Sequence, residues 1–131
     1  MSLVIDASAL VELLLRRETA APVSAGIATG DAVAPQLLDA EVANSLAGLE
    51  RGRVLDAAGA ELALEILADA PIERVEHGGL LGDAWALRHN LSLYDAFYVA
   101  LAQRLACTLI TADRRLANSP LGGVPVTLVA T

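Results

Sequence analysis

The sequence predicts an α/β domain built on a mainly parallel sheet, and three observations carry that prediction. Short apolar runs of strand length alternate along the whole chain with longer segments whose apolar residues recur at helical spacing. Hairpin signals are few, so successive strands have to be joined by crossovers that carry helices. Glycine and proline are scattered singly or in pairs, with no linker, repeat or low-complexity tract, so the 131 residues read as one domain spanning 1–131.

Taken in order, the first strand is "SLVI" at 2–5, an apolar run that stops at Asp6 and turns at once into a helical pattern over 7–17. A second helical pattern covers 20–29, and "AVA" at 32–34 supplies the next strand. The segment 36–52, "QLLDAEVANSLAGLERG", is a helix because a step of about 100° per residue gathers Leu38, Val42, Leu46 and Leu49 into one stripe. A helix over 56–69 leads to the strand "IERV" at 72–75, and a further helix is expected over 79–89. The segment 93–106 is apolar nearly all round, which marks a buried helix, and Ser92 with Asp95 three residues later fits a capping box at its start. The strand "TLIT" at 108–111, a short helix over 113–118 and the strand "PVTLV" at 125–129 complete the chain.

Composition excludes several classes. Hydrophobic residues make up 55% and the mean hydropathy is +0.53. No apolar run approaches the roughly 20 residues of a membrane span, and "AFYVALA" at 96–102 is too short. The first residues lack a basic segment and bring Asp6 and Glu12 early, so no secretory signal is expected. The single cysteine, Cys107, has no internal disulfide partner and reads as a small core residue in a reducing cytoplasm. The net charge is −7, and all nine basic side chains are arginines. Such a chain does not coat nucleic acid through its bulk field. It can still be an enzyme that meets phosphate through metal ions held by its acids.

Four carboxylates stand in suggestive places. Ligands of an open parallel sheet gather beyond the carboxyl ends of its strands, where strand order reverses. Asp6 follows the first strand and Asp113 follows "TLIT"; each is either a helix cap or part of a site. Glu41 lies at the border of the stripe on 36–52, in line with Leu37, Asn44, Ser45 and Gly48, a face suited to a cleft. An acid held there costs free energy unless it is paired, hydrated or coordinated. Asp95 shares a helix face with Tyr98, Val99 and Ala102, which aims it inward. Glu50 and Glu61 read as solvated charges. One explanation covers all four acids: a divalent cation, because converging carboxylates repel one another until a cation neutralises them. All-oxygen ligation selects Mg²⁺ or Mn²⁺, whereas His77, His89 and Cys107 are dispersed, and both histidines read as loop or helix-end residues. Magnesium held by carboxylates is common apparatus for phosphodiester hydrolysis.

Four segments, "VIDASAL", "PQLLDAEVANSL", "LSLYDAFYVALA" and "LITADRRL", in this order across nearly the whole chain, resemble PIN domains, especially the VapC-type toxins of toxin–antitoxin modules. The resemblance implies a three-layer α/β/α, Rossmann-like fold with a five-stranded sheet ordered 3-2-1-4-5. It implies a Mg²⁺- or Mn²⁺-dependent endoribonuclease of the cytoplasm that leaves 5′-phosphate and 3′-hydroxyl ends. The family's acidic quartet maps onto Asp6, Glu41, Asp95 and Asp113, as catalytic residues and metal ligands. Its supporting polar positions map onto Ser8, Asn44 and Thr111. Ser8 and Thr111 would fix carboxylate rotamers or a water, and Asn44 would orient Glu41 from the next turn. Arg114, with Arg115, would place positive charge beside the RNA. The implied partners are an RNA substrate and a cognate antitoxin that wraps a hydrophobic surface and pushes an arginine or similar group toward the acids. A homodimer is implied as well.

Other readings predict different features. A catalytically silent PIN-like module that only holds protein or RNA should have lost part of the acidic set. A receiver or dehalogenase-like phosphatase usually needs a lysine, which this chain lacks, and the phosphatase needs a second aspartate where Ser8 stands. A structure-specific DNase is chemically possible, but the short chain has no obvious extra element to clamp DNA.

Overall fold

The computed structural model describes residues 1–15 and 17–129. Strand β1 (Leu3–Ile5) lies in the middle of a five-stranded sheet, with β2 (Ala32–Pro35) on one side and β4 (Thr108–Thr111) on the other. Strands β3 (Glu73–Val75) and β5 (Val126–Leu128) form the edges, so the order is β3-β2-β1-β4-β5. Every neighbouring pair is parallel: Leu3 stands opposite both Ala32 and Thr108, Val33 opposite Glu73, and Leu109 opposite Val126. The parallel sense is the one the sequence pattern predicts, and the order is the one the family resemblance implies.

Successive strand residues point to opposite faces, and Val4 and Ile5 are both 0% exposed, so both faces of the sheet are covered. The helix α6 (Leu93–Leu105) lies across β1, β2 and β4, and the short α5 (Leu81–Ala86) packs on it. Every residue from Ala96 to Ala102 is buried, as expected of a helix apolar all round. The helix α1 (Ala7–Leu15) packs against α2 (Ala21–Ala28) and α3 (Leu37–Arg51), and α3 also meets β2 and α4 (Ala57–Asp69). The short α7 (Arg114–Ala117) rests on β4 and β5. Layers of helix, sheet and helix result.

Two expected helices are shorter or broken. The helix expected over 7–17 ends at Leu15; residue 16 lies outside the described residues, and a 3₁₀ turn at Arg17–Ala20 leads into α2. Pro22 suits that new helix start, where a missing N–H costs nothing. The segment 79–89 splits into a 3₁₀ turn (Gly78–Leu80), α5, and further turns through Asn90. Gly78, Gly79 and Gly82 make a continuous helix there unfavourable.

One arginine ties three elements together. The Arg74 guanidinium donates to the carbonyls of Leu67, Ala70 and Ile72 at 2.7–2.8 Å, and its Nη2 lies 3.0 Å from Asp39 Oδ1. It thereby satisfies carbonyls at the end of α4 while joining β3 to α3. Cys107 is a buried free thiol, and desolvation pushes it above its ordinary range. Among the described residues no helix is long and apolar enough to cross a membrane.

Candidate active site

A parallel sheet brings all its strand ends to one edge, and β1 is where the chain departs to opposite sides. Asp6 is the first residue beyond β1, held against β4 by its N–H, which donates to the Ile110 carbonyl at 3.1 Å. Its Oδ1 accepts the Ala9 N–H at 2.9 Å, so this carboxylate does cap α1. The same oxygen accepts the Ser8 hydroxyl at 2.7 Å, and Oδ2 accepts the Thr111 hydroxyl at 2.5 Å. Ser8 Oγ in turn accepts the Ala112 N–H at 2.9 Å, and Thr111 Oγ1 accepts the Asp113 N–H at 3.0 Å. The ends of β1 and β4 are thus stitched together around one buried carboxylate.

Asp6 shares a cavity of about 240 Å³ with Glu41, Asp95 and Asp113, and Ser8, Asn44, Ser45 and Tyr98 complete the polar lining. All four predicted acids therefore line one cavity, delivered by the end of β1, by α3, by the first turn of α6, and by the start of α7. Thr111 lies beneath Asp6 rather than in the lining, and Arg114 is exposed and stays out of it. The neighbouring Arg115 is the cation that approaches, with its guanidinium 3.8 Å from Asp113 Oδ2. Asp113 also caps α7, its Oδ1 accepting the N–H groups of Arg115 and Leu116 at 2.9 and 3.3 Å. Asp95 stands at the third position of α6, where Ser92 Oγ accepts its N–H at 3.2 Å. One half of the expected capping box is therefore present.

Burial pushes the Asp6 carboxyl up to about 6; the hydrogen bonds from Thr111, Ala9 and Ser8 oppose that rise, and the charge of Asp95 adds to it. Burial raises Glu41 as well, against the pull of the Tyr98 hydrogen bond and with a further push from Asp95. Tyr98, buried in the middle of α6, donates its hydroxyl to Glu41 Oε1 at 2.7 Å. Burial and the facing Glu41 hold this phenol far above its ordinary range. This contact joins helices from distant parts of the sequence. The only sequence signal for it is that Tyr98 lies one turn beyond Asp95 on the same face.

Among the described residues no arginine lines the cavity, so within that lining its charge is uncompensated. Among the described residues no three His, Cys, Asp or Glu side chains are drawn into a ready-made cation cage. An all-oxygen donor set, acidic and partly desolvated, fits a hard divalent cation such as Mg²⁺ or Mn²⁺. Histidine is engaged elsewhere: His77 Nε2 accepts the Leu37 N–H at 2.8 Å, capping α3, and its ring packs on Phe97 with centroids 5.2 Å apart. That capping role was not legible in the sequence. A second groove, of about 610 Å³, runs between α1, α2 and α4 and is mostly apolar, lined by Leu13, Ile27, Leu62 and Ile66 among others. Among the described residues its polar lining is Ser24, Glu65 and Asp69, at the rim of an otherwise apolar wall.

Comparison with known proteins agrees with this architecture. The family model described as "PIN domain" matches residues 3–120. Ribonuclease VapC9 of Mycobacterium tuberculosis is 39% identical over 127 residues, covering 97% of this chain and 98% of the relative. Among solved structures, PAE2754 from Pyrobaculum aerophilum superposes with a TM-score of 0.70 at 23% identity, covering 96% of this chain and 83% of that one. VapBC2 from Rickettsia felis, bound to a DNA fragment from its promoter, superposes with a TM-score of 0.68 at 11% identity, covering 98% of each chain. With the fold in the order 3-2-1-4-5 and a relative this similar over nearly its full length, the chain belongs to the PIN-domain family, among its VapC-type members.

Proposed function

We propose that this chain is the endoribonuclease toxin of a type II toxin–antitoxin module, slowing translation and growth by hydrolysing RNA phosphodiester bonds. The observation that carries the reading is the single cavity beyond β1 and β4 that Asp6, Glu41, Asp95 and Asp113 line together, with no basic side chain beside them among the described residues. These four would hold Mg²⁺ or Mn²⁺. When bound, such an ion makes a water easier to deprotonate and offsets charge on the phosphate oxygens.

The chain's own groups prepare that chemistry. Ser8, Thr111 and the Ala9 N–H fix both oxygens of Asp6, so this carboxylate has one orientation before anything binds. The backbone of α7 does the same for Asp113 Oδ1 and leaves Oδ2 toward Arg115. Asn44, one turn after Glu41 on α3, offers an amide to the substrate or to that carboxylate. Water attacks phosphorus, the bond to the 3′ oxygen breaks, and that oxygen takes a proton, leaving a 5′-phosphate and a 3′-hydroxyl. The route requires neither a histidine pair nor the ribose 2′-hydroxyl. With so acidic a surface, RNA contact falls to the arginines near the cavity, of which Arg115 stands nearest Asp113 and Arg114 beside it.

We assign the apolar groove between α1, α2 and α4 to the cognate antitoxin, whose arginine or similar group would reach toward the acids. Homodimerisation, a cytoplasmic location and a single domain over 1–131 belong to the same reading. The test is direct: purified protein with Mn²⁺ cuts RNA internally, EDTA stops it, and Asp6→Asn abolishes both cleavage and toxicity on expression. Protein that cuts no RNA with Mn²⁺, together with an Asp6→Asn variant that changes neither metal binding nor toxicity, sinks the proposal. A silent binding module would bind Mn²⁺ poorly.

A further inference from the structure

Tyr98 is 1% exposed in a helix otherwise buried through Ala, Val, Leu and Phe. A ring there needs no hydroxyl for packing, and burying one costs free energy unless it finds a partner. The partner is Glu41 Oε1, at 2.7 Å, and Tyr98 lines the same cavity as the four acids. The other acids are held differently. Asp6 is gripped by Ser8, Ala9 and Thr111, and Asp113 by the backbone of α7. Among the described residues, the side-chain hydrogen bond of Glu41 is to Tyr98. Glutamate is also the longest of the four acids, with the most torsions to fix, whereas a buried tyrosine in a packed helix is nearly rigid.

We propose that Tyr98 is a positioning residue: it pins Glu41 Oε1 against α6, so that Oε2 is the oxygen Glu41 offers to the cation. The inference rests on the metal-dependent ribonuclease reading and deepens it. It accounts for how a flexible side chain on α3 is aimed at carboxylates delivered by β1, α6 and α7. It also assigns the two oxygens of Glu41 separate tasks.

A double-mutant cycle on the full chain tests it, using Tyr98→Phe, Glu41→Ala and the pair, with Mn²⁺ binding followed by calorimetry and RNA cleavage alongside. Circular dichroism and melting in EDTA check that each variant is folded. Tyr98→Phe keeps the ring and should weaken Mn²⁺ binding about tenfold, as expected when the group orienting a ligand is removed. In the Glu41→Ala background the same change should shift Mn²⁺ affinity less than about twofold, because no carboxylate remains to aim. Wild-type affinity in Tyr98→Phe overturns the inference. So does an equal loss in both backgrounds, which would mean that Tyr98 acts through packing, or unaltered Mn²⁺ binding in Glu41→Ala. In each of these cases wild-type cleavage with Mn²⁺ leaves the ribonuclease reading standing. Wild-type protein that neither binds Mn²⁺ nor cuts RNA overturns that reading and the inference with it.

Discussion

Replacing Asp6 with asparagine should make the metal-free protein more stable while removing its activity. The Asp6 carboxyl, 5% exposed, titrates at 3.8 in its ordinary environment and at about 6 in the fold. Between those values the folded protein keeps a proton that the unfolded chain has lost. The stabilisation from neutral Asp6 is therefore complete below about pH 3.8 and is lost as the pH rises through about 6. Ionising it in the fold costs about 3 kcal/mol by pH 7.5. Asparagine avoids that cost and can keep the hydrogen bonds. Its carbonyl accepts from Ser8 and the Ala9 N–H, and its amide donates to Thr111, whose hydroxyl turns to Ser8 Oγ, 3.2 Å away. Urea unfolding in EDTA should place Asp6→Asn about 3 kcal/mol above wild type at pH 7.5, on the order of 10 °C in Tm. The gap should close to about 0.5 kcal/mol at pH 4. Adding Mn²⁺ should stabilise wild type more than the variant, because binding to the folded state is linked to folding. A variant less stable than wild type at pH 7.5, or a gap independent of pH, would refute the argument that burial raises the Asp6 carboxyl.

Two further substitutions separate site from scaffold. Asp113→Asn keeps a side-chain acceptor for the Arg115 and Leu116 N–H groups, so stability should change by less than about 0.5 kcal/mol while Mn²⁺-dependent cleavage falls at least about tenfold. Asp113→Ala should lose the same activity and about 1 kcal/mol of stability besides; equal melting of the two variants would show that the cap contributes nothing. Arg74→Lys leaves the cavity untouched but cannot reproduce the fork that reaches Leu67, Ala70, Ile72 and Asp39 at once. It should cost about 2 kcal/mol in urea unfolding, with cleavage per folded molecule unchanged.

Much of the fold was legible because its signals are local. The apolar run before Asp6, the stripe Leu38, Val42 and Leu46, and the all-apolar turn-after-turn of 93–106 are set by spacing along a few residues, and each element forms where that spacing puts it. The broken segment at 79–89 was less legible, since its helical pattern is opposed by glycines whose cost depends on what the segment packs against. Strand order came from family likeness and agrees with the sheet, whereas composition and period alone say no more than that the sheet is parallel.

The sequence by itself determined which acids stand at strand ends and helix starts, because a carboxylate beside an N–H-rich helix start is a local feature. Tertiary structure decided what those acids touch. Thr111 reaches Asp6 across 105 residues and Tyr98 reaches Glu41 across 57, contacts that exist because β4 lies beside β1 and α6 packs near α3. It also decided that Arg115, rather than Arg114, faces Asp113, a difference of one residue that turns a side chain by about 100° on a helix. Period and composition are invariant to such pairings; side-chain direction, burial and the resulting rise of the Asp6 carboxyl are set by them.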